Sequence, residues 1–261
     1  YEHYLPLSGK GKLPASIIGS LLSIADKADN IVGCFGIGLI PTGAADPYAL
    51  RRQALGIINI ILEKSFHFNL PALIDRGIAL FNTRLTPNPN EIKNEVLEFI
   101  RTRFHHQMTA GEYDYDVVEA ATSARFIDLV DVFARIRALQ EMKTHPDFEP
   151  LVITFKRIAN IIASHTHGEV DPRLFVEEAE KKLYNTYQKV ESKVRQLMEV
   201  RDYSAVLNQL AMLKSSVDKF FDEVLVMCED KKSKVNRLSL LGRISALFQG
   251  IADFSKIVTE G

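Results

Sequence analysis

The sequence predicts an all-α protein made of two helical bundles, and three observations lead there. Apolar residues recur at a spacing of about 3.6 over long stretches, an Asx–Pro helix start appears three times, and alternation of period two is weak throughout. Prolines also stop early: all ten lie at or before Pro172, so the final 89 residues contain none.

Taken in order, the first predicted helix covers 14–34 and runs into Gly33, Gly36 and Gly38, then Pro41-Thr42-Gly43. GCFGIG matches neither GxGxxG nor a Walker pattern and no strand precedes it, so helix termination with close backbone packing is favoured over a phosphate loop. Asp46-Pro47 reads as an N-cap followed by proline at the first helical position, opening a helix over 47–64. The 3.6 spacing predicts another over 70–82, and Leu85 to Pro89 is a loop. Asn88-Pro89-Asn90-Glu91 repeats the N-cap device, with Glu91 placed as in a capping box, ahead of a helix over 90–108. Helices over 114–122, 126–142 and 147–164 follow, the last two separated by Lys143-Thr144-His145-Pro146-Asp147. That break is the expected boundary between a domain over 1–145 and one over 146–261. Asp171-Pro172 opens a helix over 173–200, where Val176, Ala179, Leu183, Tyr187, Val190, Val194 and Leu197 step by three or four residues. Helices over 203–227 and 234–257 complete the chain. No fixed-period repeat or low-complexity tract interrupts it.

The 261 residues are 46% hydrophobic and 25% charged, ordinary globular values that exclude wholesale disorder. The net charge is −1: fifteen basic and sixteen acidic residues up to Thr144, seventeen of each beyond it. Neither part is a polycation, so any nucleic-acid contact has to use a local patch. Cys34 and Cys228 give no disulfide framework and no CxxC spacing, which favours a reduced, cytoplasmic setting. The longest strongly apolar stretch, Ile31 to Ile40, is too short to span a bilayer. With Tyr1 first and no signal-peptide pattern, the sequence is expected to be a piece of a longer protein.

Candidate chemistry is sparse. Asp26 and Asp29 share a helix face but have no nearby histidine beyond His3, and no His-Asp dipeptide occurs anywhere. His105-His106 and His165-Thr166-His167 lack cysteine or carboxylate partners at ligand spacing and lie near predicted helix ends, where histidine favours the negative pole. No GxSxG, HExxH or serine-type triad is present, so no catalytic residue and no metal ligand is assigned. Basic residues interleaved with apolar ones are more informative: Arg51-Arg52, Lys156-Arg157, Lys231-Lys232, Lys234 and Arg237, each equally readable as a solvated helix face.

A longer pattern narrows the reading. ADKADNIVGCFGIGLIPTGAADPYALRRQALGIINI (Ala25 to Ile60), TFKRIANI (Thr154 to Ile161) and VDKFFDEVLVMCEDKKSKVNRLSLLGRISALFQGIADFSKI (Val217 to Ile257) closely resemble blocks of the bacterial glycyl-tRNA synthetase beta-subunit family, in family order. The resemblance implies an HD-phosphohydrolase-type helical domain, entered part-way, followed by a helical anticodon-binding domain of the DALR class. Asp26 would sit on the helix carrying the last acidic position of an HD site, and the missing His-Asp pair speaks against hydrolase activity. It also implies a role in a heterotetrameric glycine–tRNA ligase: an alpha subunit forms glycyl-adenylate from glycine and ATP, and the beta subunit grips glycine tRNA. ATP and magnesium are then needs of the holoenzyme, with no cofactor site in these residues and no membrane partner. Two alternatives stay open, a non-catalytic platform for subunit assembly and a residual HD-type metal phosphohydrolase.

On that reading the tRNA-binding candidates are Arg51 and Arg52 in the first domain and Lys156, Arg157 and Arg237 in the second. Adjacent residues point about 100° apart on a helix, so at most one of Arg51 and Arg52 is expected to face RNA. Glycine anticodons end in two cytosines, whose Watson–Crick edges offer an N4 donor beside N3 and O2 acceptors. Asn160 beside Arg157, and Asn236 beside Arg237, supply side chains of the type that reads such an edge. Asn236 as a helix cap and Arg237 paired to a surface carboxylate is the alternative for the second pair.

Overall fold

The computed structural model describes residues 1–8, 11–43, 45–81, 85–162 and 168–259. Among these, the regular elements are helical, and the one β-type pairing is an isolated bridge between Thr42 and Ala45. The helices are α1 (Ile17–Gly36), α2 (Leu50–Lys64), α3 (Leu70–Phe81), α4 (Pro89–Thr109), α5 (Tyr115–Ala124), α6 (Leu129–Lys143), α7 (Phe148–Ile162), α8 (Glu178–Glu199), α9 (Tyr203–Ala211), α10 (Lys214–Glu223) and α11 (Lys231–Gln249). The expected all-α class is what the chain adopts. None of these helices is long and apolar enough to cross a membrane.

The chain forms two compact units, Tyr1–Glu112 with Phe126–Phe133, and Tyr113–Arg125 with Ala134–Gly261. The Lys143–Asp147 break therefore lies within the second unit. Side-chain bonds tie the preceding segments into it. Lys143 Nζ meets Asp114 Oδ2 at 2.8 Å and Asp116 Oδ1 at 2.7 Å. The buried Arg135 donates to the carbonyl oxygens of Ala121 (2.9 Å), Ile251 (2.7 Å) and Arg125.

In the first unit α1 packs against α2, α3 and α4. Its N-cap is Ser16, whose hydroxyl accepts from Gly19 N at 2.9 Å, and the Glu2 carboxylate accepts from Ala15 N at 2.9 Å and from the Ser16 hydroxyl. These bonds satisfy amides that a helix start leaves open. Helix α1 runs through Gly33 and ends at Gly36. A Cβ on Gly36 would lie 2.3 Å from Leu85 Cδ2, and Gly38 takes φ +77°, so the glycines serve close packing and the exit turn. A helix, not a strand, leads into them.

Most expected helix boundaries shift by a few residues, and the last helix, expected over 234–257, runs from Lys231 to Gln249; three of the differences have a clear local reason. Asp46 does not cap at Pro47: its carboxylate reaches on to Leu50 N (2.8 Å) and Arg51 N (3.0 Å), and α2 begins after Ala49 at φ 54°. Asp171-Pro172 starts only a 3-10 turn, Pro172–Leu174. Helix α8 opens instead at Glu178, with Glu177 and Glu180 forming a capping box. The expected 203–227 helix is two, because Met212 and Leu213 take a tight turn that buries Leu213 completely and leaves Met212 exposed. Past α10 the chain extends at Val224 and turns at Val226–Met227, with Val224 and Val226 buried while Leu225 and Met227 are exposed. Asn88 caps α4 with Pro89 at its first position, as expected. The α8 stripe holds as well, with Ala179, Leu183, Tyr187, Val190 and Val194 buried, though Val176 precedes the helix and is exposed.

Candidate nucleic-acid interface

Helix α7 buries Phe148, Leu151, Val152, Phe155 and Ile158 against α10 and α11. The same spacing turns Ile153, Arg157 and Asn160 toward solvent in one stripe. Facing it, α10 carries two adjacent phenylalanines that cannot share a direction. Phe220 is fully buried, whereas Phe221 is only half-buried. Arg157 Cζ lies 4.1 Å from the centroid of the Phe221 ring. Such a contact contributes about 0.5–1 kcal/mol at an exposed site and holds the guanidinium over the ring. Arg157 makes no ion pair with a described carboxylate, so the outer face of its plane stays open one helical turn from Asn160. A flat cation with an amide beside it can stack on a base and bond its edge.

The other candidates in the second unit are occupied. Lys156 is half-buried and donates to Ile257 O at 2.8 Å. Asn236 is buried and closes a reciprocal pair with the Asp171 backbone, accepting from its N at 2.7 Å and donating to its O at 3.0 Å. Arg237 is buried too: Nε and Nη2 reach the Glu180 carboxylate at 2.8 and 3.3 Å, and Nη1 reaches Leu225 O at 3.0 Å. Glu180 also accepts from Val176 N (2.9 Å) and Glu177 N (2.8 Å). Burial alone would raise the Glu180 pKa, yet Arg237 and the two backbone donors outweigh it and hold the carboxyl below its ordinary range. The same carboxylate raises Arg237 against the effect of its burial. Asn236 and Arg237 thus have no free edge for a base. This corrects their assignment as base readers: Asn236 does not cap α11, which Asp230 caps, and the partner of Arg237 is an internal carboxylate.

In the first unit, Arg52 is exposed on α2 and lines a cleft with Asp26. Arg51 is half-buried on a different side of the helix, as the 100° offset requires. Burial lowers the pKa of Arg103, the nearby Arg51 charge lowers it further, and Asp46 partly opposes both. Arg103 also stacks on Phe99, with Cζ 4.9 Å from the ring centroid. His105 is buried and His106 exposed on α4, so the two diverge. The His165–His167 cluster lies outside the described residues. Among those described, no three His, Cys, Asp or Glu side chains gather as a metal-binding group, and Asp26 and Asp29 both face solvent.

Sequence reasoning missed Phe221 and Glu180. Phe221 was legible in principle, since only one member of a Phe-Phe pair can fill an amphipathic helix's buried face. Glu180 had no signal, because its partner lies 57 positions away.

Residues 1–123 match the family described as glycyl-tRNA synthetase beta subunit, and residues 151–257 match the DALR anticodon binding domain. The glycine–tRNA ligase beta subunit of Syntrophus aciditrophicus is 45% identical over 260 residues, covering 100% of this chain and 38% of that protein. The corresponding subunit of Geobacter metallireducens is 49% identical over 256 residues, 98% of this chain and 37% of the relative. The chain spans a little over a third of the length of these relatives.

Proposed function

We propose that this chain, which belongs to the glycyl-tRNA synthetase beta-subunit family, supplies the tRNA-recognition part of a glycine–tRNA ligase and reads the anticodon of glycine tRNA through its second unit. Adenylate formation, with its ATP and magnesium, belongs in this reading to an alpha subunit with which the complete beta chain assembles in the cytoplasm. The observation that carries the proposal is the Arg157–Phe221 stack beside Asn160, an open cationic plane inside the segment matching the DALR domain. The plane stacks on a splayed anticodon base, and Asn160 offers a donor and an acceptor to its edge. A chain of net charge −1 gains little affinity from bulk charge, so binding depends on a few such contacts.

The test is tRNA binding and glycylation by the complete ligase with Arg157→Ala, using tRNAs in which the two anticodon cytosines are replaced one at a time. The parent should penalise each replacement, and the variant should lose about 1–3 kcal/mol of that discrimination at one position. Equal penalties in parent and variant would remove Arg157 from base reading.

A second role, subunit assembly, is favoured by the outer face of α1, where Ile17, Ile18, Leu21 and Leu22 are all exposed. Such a face is suited to being covered by another part of the complete chain or by the alpha subunit. Leu21→Glu with Leu22→Glu should then weaken assembly in analytical ultracentrifugation while leaving anticodon discrimination intact. An unchanged sedimentation profile would count against assembly through this face.

A further inference from the structure

We propose that a cleft in the first unit binds one nucleotide, with the base edge at Asp26 and Asn30 and the phosphate at Arg52. The cleft lies between residues 4–7, α1 and α2 and has a volume of about 280 Å³, near the lower end of small-ligand sites, roughly 300–1,000 Å³. Three of its polar side chains are uncommitted. The side chains of Asp26, Asn30 and Arg52 make no hydrogen bond or ion pair with described residues. Gln53 donates Nε2 to Tyr48 O at 3.0 Å, but its Oε1 is buried with no partner. A carboxylate, an amide and a guanidinium therefore line one cleft with their polar ends unengaged by described residues, free to take a ligand that offers groups for all three.

The arrangement selects the ligand's chemistry. Asp26 and Asn30 are one turn apart on α1 and share a face. Arg52 and Gln53 come from α2, while Tyr4 and Leu7 add an exposed aromatic and aliphatic edge. Lys27 also lines the cleft, but its ammonium is committed to His3 O (3.2 Å), Leu5 O (2.9 Å) and Ser23 Oγ (2.7 Å). It adds positive field without being a free donor. The ligand must bring donors for a carboxylate, an anion for a guanidinium and a flat apolar face for Tyr4. A nucleotide has all three. Guanine fits best, since its Watson–Crick edge presents two adjacent donors to one carboxylate. An amino acid also carries both charges, but it would leave the Tyr4 and Leu7 side of the cleft unfilled.

The nucleotide can be free or an unpaired residue of tRNA, and the experiment separates the two. Guanosine 5′-monophosphate, cytidine 5′-monophosphate and glycine tRNA are titrated into the complete ligase as parent, Asp26→Asn, Arg52→Gln and, in parallel, Arg157→Ala. Both cleft residues are exposed, so the variants should fold as the parent does. If the source is a free nucleotide, the guanine monophosphate binds more tightly than the cytosine one, and each cleft variant weakens it about tenfold. If the source is tRNA, neither monophosphate binds measurably and both cleft variants weaken tRNA by about tenfold. No change in either ligand with either variant overturns the proposal. So does a loss with Arg52→Gln alone, which would mean a bare phosphate contact. The Arg157→Ala arm reports on anticodon reading separately, so either idea can fail without the other.

Discussion

Helices α7 and α11 each carry an arginine in a basic, apolar-interleaved stretch, and the second unit uses the two in opposite ways. Arg157 sits over the Phe221 ring and is exposed to solvent, whereas Arg237 is buried and committed to Glu180 and Leu225 O. The difference follows from register. On α7 the arginine falls on the stripe opposite Phe155 and Ile158, while on α11 Arg237 sits within the buried run Asn236 to Leu241. A buried cation must be paired and bonded, and an exposed one on a ring is free to take a ligand. One arginine is therefore committed to the fold, and the other is the one the proposed anticodon reading uses.

The sharpest way to break this contrast is Arg237→Ala. It strands the Glu180 carboxylate in the interior and should cost about 3–5 kcal/mol, read as a lower denaturant midpoint for the second unit. Replacing both partners, Arg237→Met with Glu180→Leu, should cost much less, because no unpaired charge remains. If the double variant is as unstable as the single one, packing and not charge holds this region. Anticodon discrimination, measured where each variant is folded, should be unaffected by either.

The same pair predicts a pH dependence. Glu180 is held below its ordinary value of 4.5 in the folded protein, so its contribution is fully present above that value and is lost as pH falls through the folded pKa. Acid unfolding of the parent should therefore be steeper below about pH 4.5 than that of the Arg237→Met, Glu180→Leu double variant. Parallel acid limbs in the two proteins would mean that Glu180 titrates normally.

The first unit has its own buried cation, and it differs from Arg237 in lacking a carboxylate. Lys27 is held by two carbonyls and a hydroxyl, and burial lowers its pKa against the favourable charge of Asp26. Lys27→Met should cost about 1–3 kcal/mol by removing the donor to His3 O and to the Ser23 hydroxyl, while Leu5 O keeps only the Ser23 hydroxyl as its donor. It should also loosen residues 1–6, which amide hydrogen exchange would show. Raising pH through the alkaline range toward 10.5 should stabilise the parent relative to this variant, because the unfolded chain holds the lysine proton more tightly than the fold does. Exchange in residues 1–6 unchanged by the substitution would assign the segment's anchoring to Glu2 and to the Ser23 hydroxyl, which donates to Leu5 O.

How far the sequence carried each feature depends on the reach of the interaction behind it. Helix class, the Asn88 cap and the α8 stripe were legible because their causes lie within a few residues. The break at Met212–Leu213 was not, because it arises from burying Leu213, and the 3.6 spacing runs on past it. Asp46-Pro47 and Asp171-Pro172 look alike in sequence. One caps a helix three residues late and the other only a 3-10 turn, since the chemistry of a cap does not say what the chain beyond it packs against. The candidate site divides the same way. Arg157 and Asn160 lie on a predictable outer face, but nothing near Asn236 or Arg237 in sequence announces Asp171 or Glu180 as partners.

The smallest expected effect on stability is also the most discriminating for recognition. Arg157→Lys keeps the charge and should cost under about 1 kcal/mol, the size of an exposed cation–π contact. If Arg157 were only a point charge for a phosphate, lysine would replace it with little loss. A base, however, needs a flat partner, and an ammonium has no plane on which to stack. Lysine at 157 should therefore leave the salt dependence of tRNA binding unchanged, because the same number of counterions is released. Discrimination against an altered anticodon should fall by about 1 kcal/mol or more, toward the loss in Arg157→Ala. Phe221→Leu should move in the same direction, since it removes the ring that orients the guanidinium and leaves the arginine in place. An Arg157→Lys ligase that discriminates as the parent does would reduce this face of α7 to an electrostatic contact.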